Sequence, residues 1–373
     1  MIYVATFLGS IFFGHLATRI NPKTNRGLVI ICSLISILIP SVLAGLRDVS
    51  IGTDVTHYLL KEFNVALSVD SFKDYLPLIW RKETGYLALV FLVAKCFGDI
   101  QWLLFFMSFI TTTCFYIGAW RFKEKAALPL TLLIYFLCYY NISYNLVRQA
   151  ISMAIIFCGI GYLFKKKYIK FLILVAIATL FHSSAILSIV HLFIFWFLDV
   201  NQPNNAEKKI FLRSTVLIFA LAMAVLLFPT FITLLSNIGL IDSRFLYYVQ
   251  NPSNTSSSNF ETLIYAVEIL AIVFWGKSLG KIIDNFEYFK TNLFYAFITI
   301  LLTSFMLFGN RISQYFSTIN ILLIGQIPGV FSKKSSKVLC TVFITTLFFV
   351  YWFYVFVISG SAETYPFKFF WEE

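Results

Sequence analysis

Long apolar segments alternate with short polar gaps along most of this chain. None of the segments has the period-two alternation of a half-buried strand, and the hydrocarbon core of a membrane admits only helices or closed barrels. A helix needs about 20 residues to cross a bilayer, so the shorter segments must be tilted, kinked or sheltered. The pattern predicts an all-α, polytopic transmembrane helix bundle with roughly 12–14 membrane segments, forming a single domain over residues 1–373. The apolar segments lie near 2–18, 28–46, 85–97, 101–120, 126–140, 149–164, 168–181, 183–198, 214–235, 260–276, 292–308, 312–330 and 338–358.

Lysine and arginine are concentrated in alternate gaps. Because cations are retained on the cytoplasmic side during membrane insertion, we expect these gaps to face the cytoplasm. The N terminus, 47–84, 141–148, 236–259, 309–311 and the tail from 359 are then expected outside. The basic clusters are Arg19/Lys23/Arg26, Arg121/Lys123/Lys125, Lys165/Lys166/Lys167/Lys170, Lys208/Lys209/Arg213, Lys277/Lys281/Lys290 and Lys333/Lys334/Lys337.

One stretch conflicts with this alternation. If 85–97 and 101–120 both crossed the membrane, the basic cluster at 121–125 would lie outside. The segment 85–97 is too short for an ordinary crossing. We therefore expect it to be re-entrant or interfacial.

Composition supports the membrane class and excludes several others. The chain is 59% hydrophobic and 13% charged, with a mean hydropathy of +0.83. Its net charge of +11 lies in short gaps, where an anionic leaflet attracts it, and no nucleic-acid motif is present. The six cysteines are scattered within apolar segments and predict neither a metal site nor a disulfide framework. Acidic metal–phosphate, Walker A, GxSxG and HExxH motifs are also absent from the sequence, so we expect no metal and no cofactor.

Four arginines stand beside apolar segments in the gaps predicted to lie outside. A guanidinium is a planar fork suited to phosphate, and a helix N-terminus at Arg148 adds oriented N–H groups. The structural alternative for Arg148, Arg244 and Arg311 is a cation that reaches up to lipid headgroups. For Arg47 it is a helix exit with polar capping. The gaps 47–84 and 236–259 are long enough to contribute to a site there. The pattern favours an anion site formed by Arg47, Arg148, Arg244 and Arg311.

Candidate acid–base groups lie in the same gaps. Asp54 follows Gly52, which allows the backbone to approach a ligand closely. Glu83 begins the next apolar segment and could instead interact favourably with the dipole of its helix. His182 lies between two apolar segments, where a lone histidine is also commonly structural.

In chain order, these motifs resemble the EpsG-type branch of the bacterial polysaccharide polymerases (Wzy, or O-antigen polymerase). The resemblance implies a metal-independent, GT-C-like glycosyltransferase, without a cofactor, in the bacterial cytoplasmic membrane. It would join oligosaccharide repeats carried on polyprenyl (undecaprenyl) diphosphate at the outer face. Its partners would be the lipid-linked donor and acceptor and membrane lipids, with a chain-length regulator and a flippase as candidate protein partners. The motifs are Arg47 with Gly52-Thr-Asp54 and Tyr58, Glu83-Thr-Gly-Tyr86, Asn145-Leu-Val-Arg-Gln-Ala150, Phe181-His-Ser-Ser-Ala185, Arg311 with Tyr315-Phe316, and Tyr365-Pro-Phe367.

Within that mechanism we assign Arg148 first to the leaving diphosphate, followed by Arg311 and Arg244. Arg47 binds the second lipid or folds its loop through Asp54. Asp54, Glu83 and His182 are the candidates for deprotonating the acceptor hydroxyl. Three other functions stay open: a transporter or flippase of lipid-linked sugars, an O-antigen ligase, and a membrane scaffold. A transporter would favour cations along its whole path, whereas these gather at one face.

Overall fold

The computed structural model describes residues 1–198, 207–240, 243–251, 256–304 and 310–372. Within these ranges the chain is helical and contains no strand beyond one isolated bridge between Arg47 and Phe369. The predicted all-α class is confirmed. The chain divides into two compact units, one made of Met1–Leu187 with Ser332–Glu373 and the other of Ser188–Phe331. The single domain remains a prediction.

The apolar segments of the sequence correspond to helices. Short π-helical turns at Val55–Leu59, Phe136–Tyr140 and Phe353–Ile358 extend or join some of them. The α-helices are α1 (Ile2–Arg19), α2 (Arg26–Gly45), α3 (Leu60–Ser68), α4 (Phe72–Tyr75), α5 (Thr84–Phe97), α6 (Ile100–Arg121), α7 (Leu128–Tyr135), α8 (Asn141–Asn145), α9 (Val147–Leu163), α10 (Tyr168–Phe181), α11 (Ile189–Leu198), α12 (Glu207–Asn237), α13 (Ser243–Gln250), α14 (Ser256–Ile282), α15 (Phe286–Ile300), α16 (Asn310–Ile324) and α17 (Lys334–Trp352).

Among the residues that the structure describes, five helices are long and apolar enough to cross a membrane, which supports the prediction of a membrane protein. Shorter apolar helices accompany them at Thr84–Phe97, Val147–Leu163, Tyr168–Phe181 and Ser183–Leu198. The candidate spans are Arg26–Gly45, Ile100–Arg121, Lys209–Asn237, Phe260–Ile282 and Lys334–Ile358.

Packing in the first unit defines two ends of its bundle. Gly45, the last residue of α2, lies against Phe105 near the start of α6. At the opposite end, Ala17 of α1 packs with Cys32 of α2 and with Trp120 of α6. We call the first the Arg47 end and the second the Arg121 end. Helices α1 and α6 therefore run in the same direction, from the Arg47 end to the Arg121 end, and α2 runs against them.

Four basic clusters of the first unit meet at the Arg121 end. Arg121 donates to the Tyr162 hydroxyl at 3.0 Å, which ties the 121–125 cluster to the α9–α10 connection at 164–167. Trp352, the last residue of α17, donates to Asn141 at 2.9 Å near the Arg47 end. Helix α17 therefore begins at the Arg121 end, where the lysines of the 333–337 cluster lie. The cluster at 19–26 lies in the α1–α2 connection at the Arg121 end. The alternation of charge in the sequence thus corresponds to an alternation of helix direction.

Helix α5 resolves the conflict in the charge pattern. Gly85 at its start lies against Leu180, near the last turn of α10, and the Phe97 ring at its end lies 5.1 Å from Trp102 of α6. Both contacts are at the Arg47 end, so the 14 residues of α5 do not cross the bundle. Helix α6 then returns the chain to the Arg121 end, where its basic cluster is expected.

The second unit is built around α15 and α16. Asn292 of α15 donates to Asn320 of α16 at 2.7 Å, and Ser313 of α16 donates to the Ala296 carbonyl at 2.8 Å. Ser214 near the start of α12 lies 2.7 Å from Thr291 of α15. This contact brings the basic clusters around 208–213 and 277–290 to one end of the unit.

Candidate active site at the Arg47 end

The loop after α2 is anchored from both sides of Arg47. Arg47 is 2% exposed, and its guanidinium lies 3.9 Å from the centre of the Tyr144 ring. Burial lowers the pKa of Arg47, while the neighbouring Tyr144 raises it. The tail of the chain closes the other side, because Asp48 donates its N–H to the Lys368 carbonyl at 2.8 Å. Arg47 is therefore buried against Tyr144 within the loop. Its two predicted roles, binding the second lipid or folding the loop through Asp54, stay predictions.

Gly52 brings this loop into contact with the end of α8. Its φ of +92° is a conformation that other residues rarely adopt, and an added Cβ would overlap the Tyr144 carbonyl oxygen. Two residues later, Asp54 donates its backbone N–H to the Asn145 side chain at 3.0 Å. The half-buried Asp54 carboxylate itself has no hydrogen-bond or ion-pair partner among the described residues. The loop thus presents an uncommitted carboxylate from a fixed backbone.

Arg148, Glu83 and His182 meet where α9 begins, α5 begins and α10 ends. Arg148 Nη1 lies 3.2 Å from Glu83 Oε1, and His182 Nδ1 lies 3.7 Å from the same oxygen. Burial by itself would raise the pKa of Glu83. The His182 imidazole and the Arg148 charge outweigh burial and lower the pKa to about 2. Glu83 is consequently a poor proton acceptor and a good anchor for Arg148.

A second arginine–carboxylate pair lies beside the first. Arg81 donates its Nε to Glu62 Oε1 at 2.6 Å, and the Tyr86 hydroxyl donates to Glu62 Oε2. The ring of Tyr86 in turn lies 5.4 Å from the Arg148 guanidinium. The guanidinium of Arg81 also lies 4.3 Å from the centre of the half-exposed Tyr58 ring. Tyr86 therefore links the two arginines through one buried carboxylate.

A small cleft lies between these groups, and we call it the Arg47-end cleft. It combines two guanidinium groups, one carboxylate and two phenol rings. The guanidinium groups can bind an anion, the carboxylate can accept a proton, and the half-exposed Tyr58 ring can stack on a sugar ring. Metal clusters of three or more His, Cys, Asp or Glu side chains are not found in the part of the chain that the structure describes. The cleft is lined by Asp54, Tyr58, Leu59, Arg81, Tyr86, Val147 and Arg148.

The remaining predicted residues have different positions. Glu83 contacts Arg148, His182 contacts Glu83, and neither Glu83 nor His182 lines the cleft. Arg311 is half-buried in the first turn of α16, in the second unit. Arg244 belongs to α13 of that unit, and its side chain lies outside the described residues, as do 241–242 and 252–255 of the predicted outer loop. Their roles stay predictions.

Arg81 and Glu62 were not among the residues predicted from sequence. Both lie in the mixed-charge stretch 47–84, where exposed residues such as Lys61 and Lys82 stand next to them. A useful signal was available in Tyr58 and Tyr86, aromatic residues that flank both charges in the sequence. Buried or half-buried charges in a polar stretch are commonly paired, and aromatic neighbours supply the burial.

Comparison with known proteins gives one match. The model of the EpsG family matches residues 30–369, nearly the whole chain. No curated protein and no solved structure matches it. The matched range includes every residue that lines the Arg47-end cleft.

Proposed function

This chain belongs to the EpsG family, and on that premise we propose that it is a polysaccharide polymerase. In this proposal the protein is a glycosyltransferase of the bacterial cytoplasmic membrane. It joins oligosaccharide repeats carried on polyprenyl diphosphate at the outer face. The family supports the polymerase type of function, and the cleft supports the choice of donor.

The observation that carries the proposal is Arg148 in the wall of the cleft. Its Nη1 is held by a carboxylate whose pKa is about 2, so the guanidinium keeps a charged partner over the whole physiological pH range. The pairing fixes the orientation of the fork before any ligand arrives, which reduces the entropy lost on binding. A diphosphate is an anion that such a fork binds in bidentate fashion.

The reaction then follows from the groups present. A hydroxyl of the incoming repeat attacks the anomeric carbon of the growing glycan, and the bond from that carbon to the diphosphate oxygen breaks. The electron pair of the broken bond leaves with the diphosphate, where Arg148 stabilises the developing charge. A donor of this kind contributes roughly 10²–10³-fold in rate. The hydroxyl proton passes to a carboxylate of the cleft.

Asp54 is the better candidate for that proton. Its carboxylate lines the cleft and has no partner within the described residues. Glu83 is already paired with Arg148 and lies behind it. His182 contacts Glu83 rather than the cleft. We therefore assign Asp54 as the general base, and Glu83 and His182 as residues that position Arg148.

Substitution of Arg148 tests the proposal. Purified protein is supplied with lipid-linked repeats, and polymer length is read on a gel. We expect Arg148→Lys and Arg148→Ala to lose at least about 100-fold in rate, since an ammonium lacks the planar fork. Arg26→Lys, an exposed arginine at the Arg121 end, is the matched control and should polymerise normally. Wild-type polymer from Arg148→Lys would contradict the assignment.

Deletion of the gene separates polymerase from its alternatives in cells. A polymerase mutant should display single repeats on the cell surface. Polymer that is made but not attached would identify a ligase. Repeats that accumulate on their lipid at the cytoplasmic face would identify a flippase.

A further inference from the structure

We propose that Arg81 is the second phosphate-binding residue of the cleft and that the two arginines each bind one phosphate of the donor diphosphate. This inference rests on the proposed function for the identity of the lipid, but its chemistry concerns only the two phosphates. Neither sequence motif nor charge pattern singles out Arg81. Its place in the structure does.

The geometry leaves the useful part of Arg81 uncommitted. Glu62 accepts a hydrogen bond from the Nε of Arg81, and the two Nη groups of Arg81 have no hydrogen-bond partner in the described chain. The side chain of Arg81 is only 13% exposed and lines the same cleft as Arg148. A terminal pair of N–H donors on one edge of a guanidinium matches two oxygens of one phosphate.

Each of the two arginines is paired with one carboxylate. Arg81 uses its Nε for the buried Glu62, and Arg148 uses its Nη1 for the half-buried Glu83. Tyr86 joins the pairs, because its hydroxyl donates to Glu62 and its ring lies next to Arg148. A monophosphate needs only one such fork. Two forks fixed in one cleft by one network are what a diphosphate requires.

The charge of the neighbourhood fits the same ligand. Glu62 and Glu83 neutralise the two guanidinium groups, and the Asp54 carboxylate also lines the cleft, so the cleft is not a cationic patch that would hold any anion. Its affinity must come from directed N–H donors and not from bulk charge. Discrimination between one phosphate and two should therefore depend on the number of forks.

The test compares two lipids that differ by one phosphate. Dissociation constants are measured in detergent for polyprenyl diphosphate and for polyprenyl monophosphate of equal chain length, without attached sugar. Wild-type protein should prefer the diphosphate. In Arg81→Ala the affinity for diphosphate should fall about 10–100-fold, the value of a charge-assisted contact, while monophosphate affinity changes less than about threefold because Arg148 remains.

Two further variants protect the interpretation. Arg81→Ala leaves the buried Glu62 without its cationic partner, although Tyr86 still donates to it, and this destabilises the loop. Arg81→Lys keeps a cation for Glu62 but removes the fork, so it should stay folded and still lose the preference for diphosphate. Lys82→Ala removes an exposed charge one residue away and should leave both affinities unchanged.

The inference is overturned if the ratio of the two dissociation constants in Arg81→Lys equals that of the wild type. It is also overturned if Lys82→Ala weakens diphosphate binding as much as Arg81→Ala, because the effect would then be general attraction. A wild-type protein that discriminates through Arg81 but never polymerises repeats would refute the proposed function alone. Polymerisation that needs Arg148 but not Arg81 would refute this inference alone.

Discussion

Gly52 is the most exacting position in the loop that carries Asp54, and replacing it with alanine should damage both stability and catalysis. The φ of +92° costs a residue with a Cβ about 1–2 kcal/mol. The new Cβ would also overlap the Tyr144 carbonyl oxygen and lie 3.0 Å from its carbon, where neither side is a flexible side-chain end. Overpacking of this kind adds typically about 1–3 kcal/mol.

The sum for Gly52→Ala is therefore about 2–5 kcal/mol. In a domain of 150–250 residues each kcal/mol lowers Tm by roughly 2–4 °C. Gly98→Ala is the matched control, since Gly98 has a φ of +71° but no atom within 4 Å of an added Cβ. It should show only the smaller conformational cost. The difference between the two variants reports the contact with Tyr144.

Catalysis should be affected more than stability. Asp54 is two residues from Gly52 and is held to Asn145 through its backbone N–H. A displacement of about 1 Å at a catalytic group can cost roughly 10²-fold in rate. The assay is polymer formation by purified protein alongside thermal unfolding in detergent. Equal Tm values for Gly52→Ala and Gly98→Ala, together with wild-type polymer from Gly52→Ala, would refute the argument that this close approach positions Asp54.

Three other predictions follow from the same structure. Glu83 has a folded pKa of about 2 against an ordinary 4.5, so the stability it contributes is complete above pH 4.5 and is lost as pH falls toward 2. The stability advantage of wild type over Glu83→Gln, up to about 3 kcal/mol, should therefore shrink in thermal scans from pH 5 to 3. A difference that does not change with pH would contradict this prediction. In a cysteine-free background, an impermeant maleimide should label Lys82→Cys but not Lys166→Cys in intact cells, and the opposite pattern would reverse the predicted sidedness. Polymerisation should survive excess EDTA, whereas activity lost to EDTA and restored by Mg²⁺ or Mn²⁺ would show that a metal assists the leaving group.

The sequence predicts the helices well because their apolar segments are long and bounded by charge. That α5 does not cross the bundle agrees with its short length and with the basic cluster at 121–125, and its interfacial or re-entrant position in the membrane stays a prediction. Pairing inside the 47–84 stretch was not, because its charges have no periodicity that separates Glu62 and Arg81 from exposed neighbours. Arg47 illustrates the converse, since a boundary arginine that suggested a ligand is covered by Tyr144.

The segment after α17 packs closely against α1 and against the loop after α2 in the first unit. The Tyr3 hydroxyl donates to the Thr364 carbonyl at 2.6 Å, and Phe370 donates its N–H to the Leu46 carbonyl at 3.0 Å. These contacts can form only after the ribosome has synthesised all of Ser188–Phe331. The loop that carries Asp54 therefore lacks this cover in the growing chain until the segment from Ser332 onward has been made. The chaperones and proteases of the cell therefore encounter the first unit in an incomplete form while the intervening residues are translated and inserted.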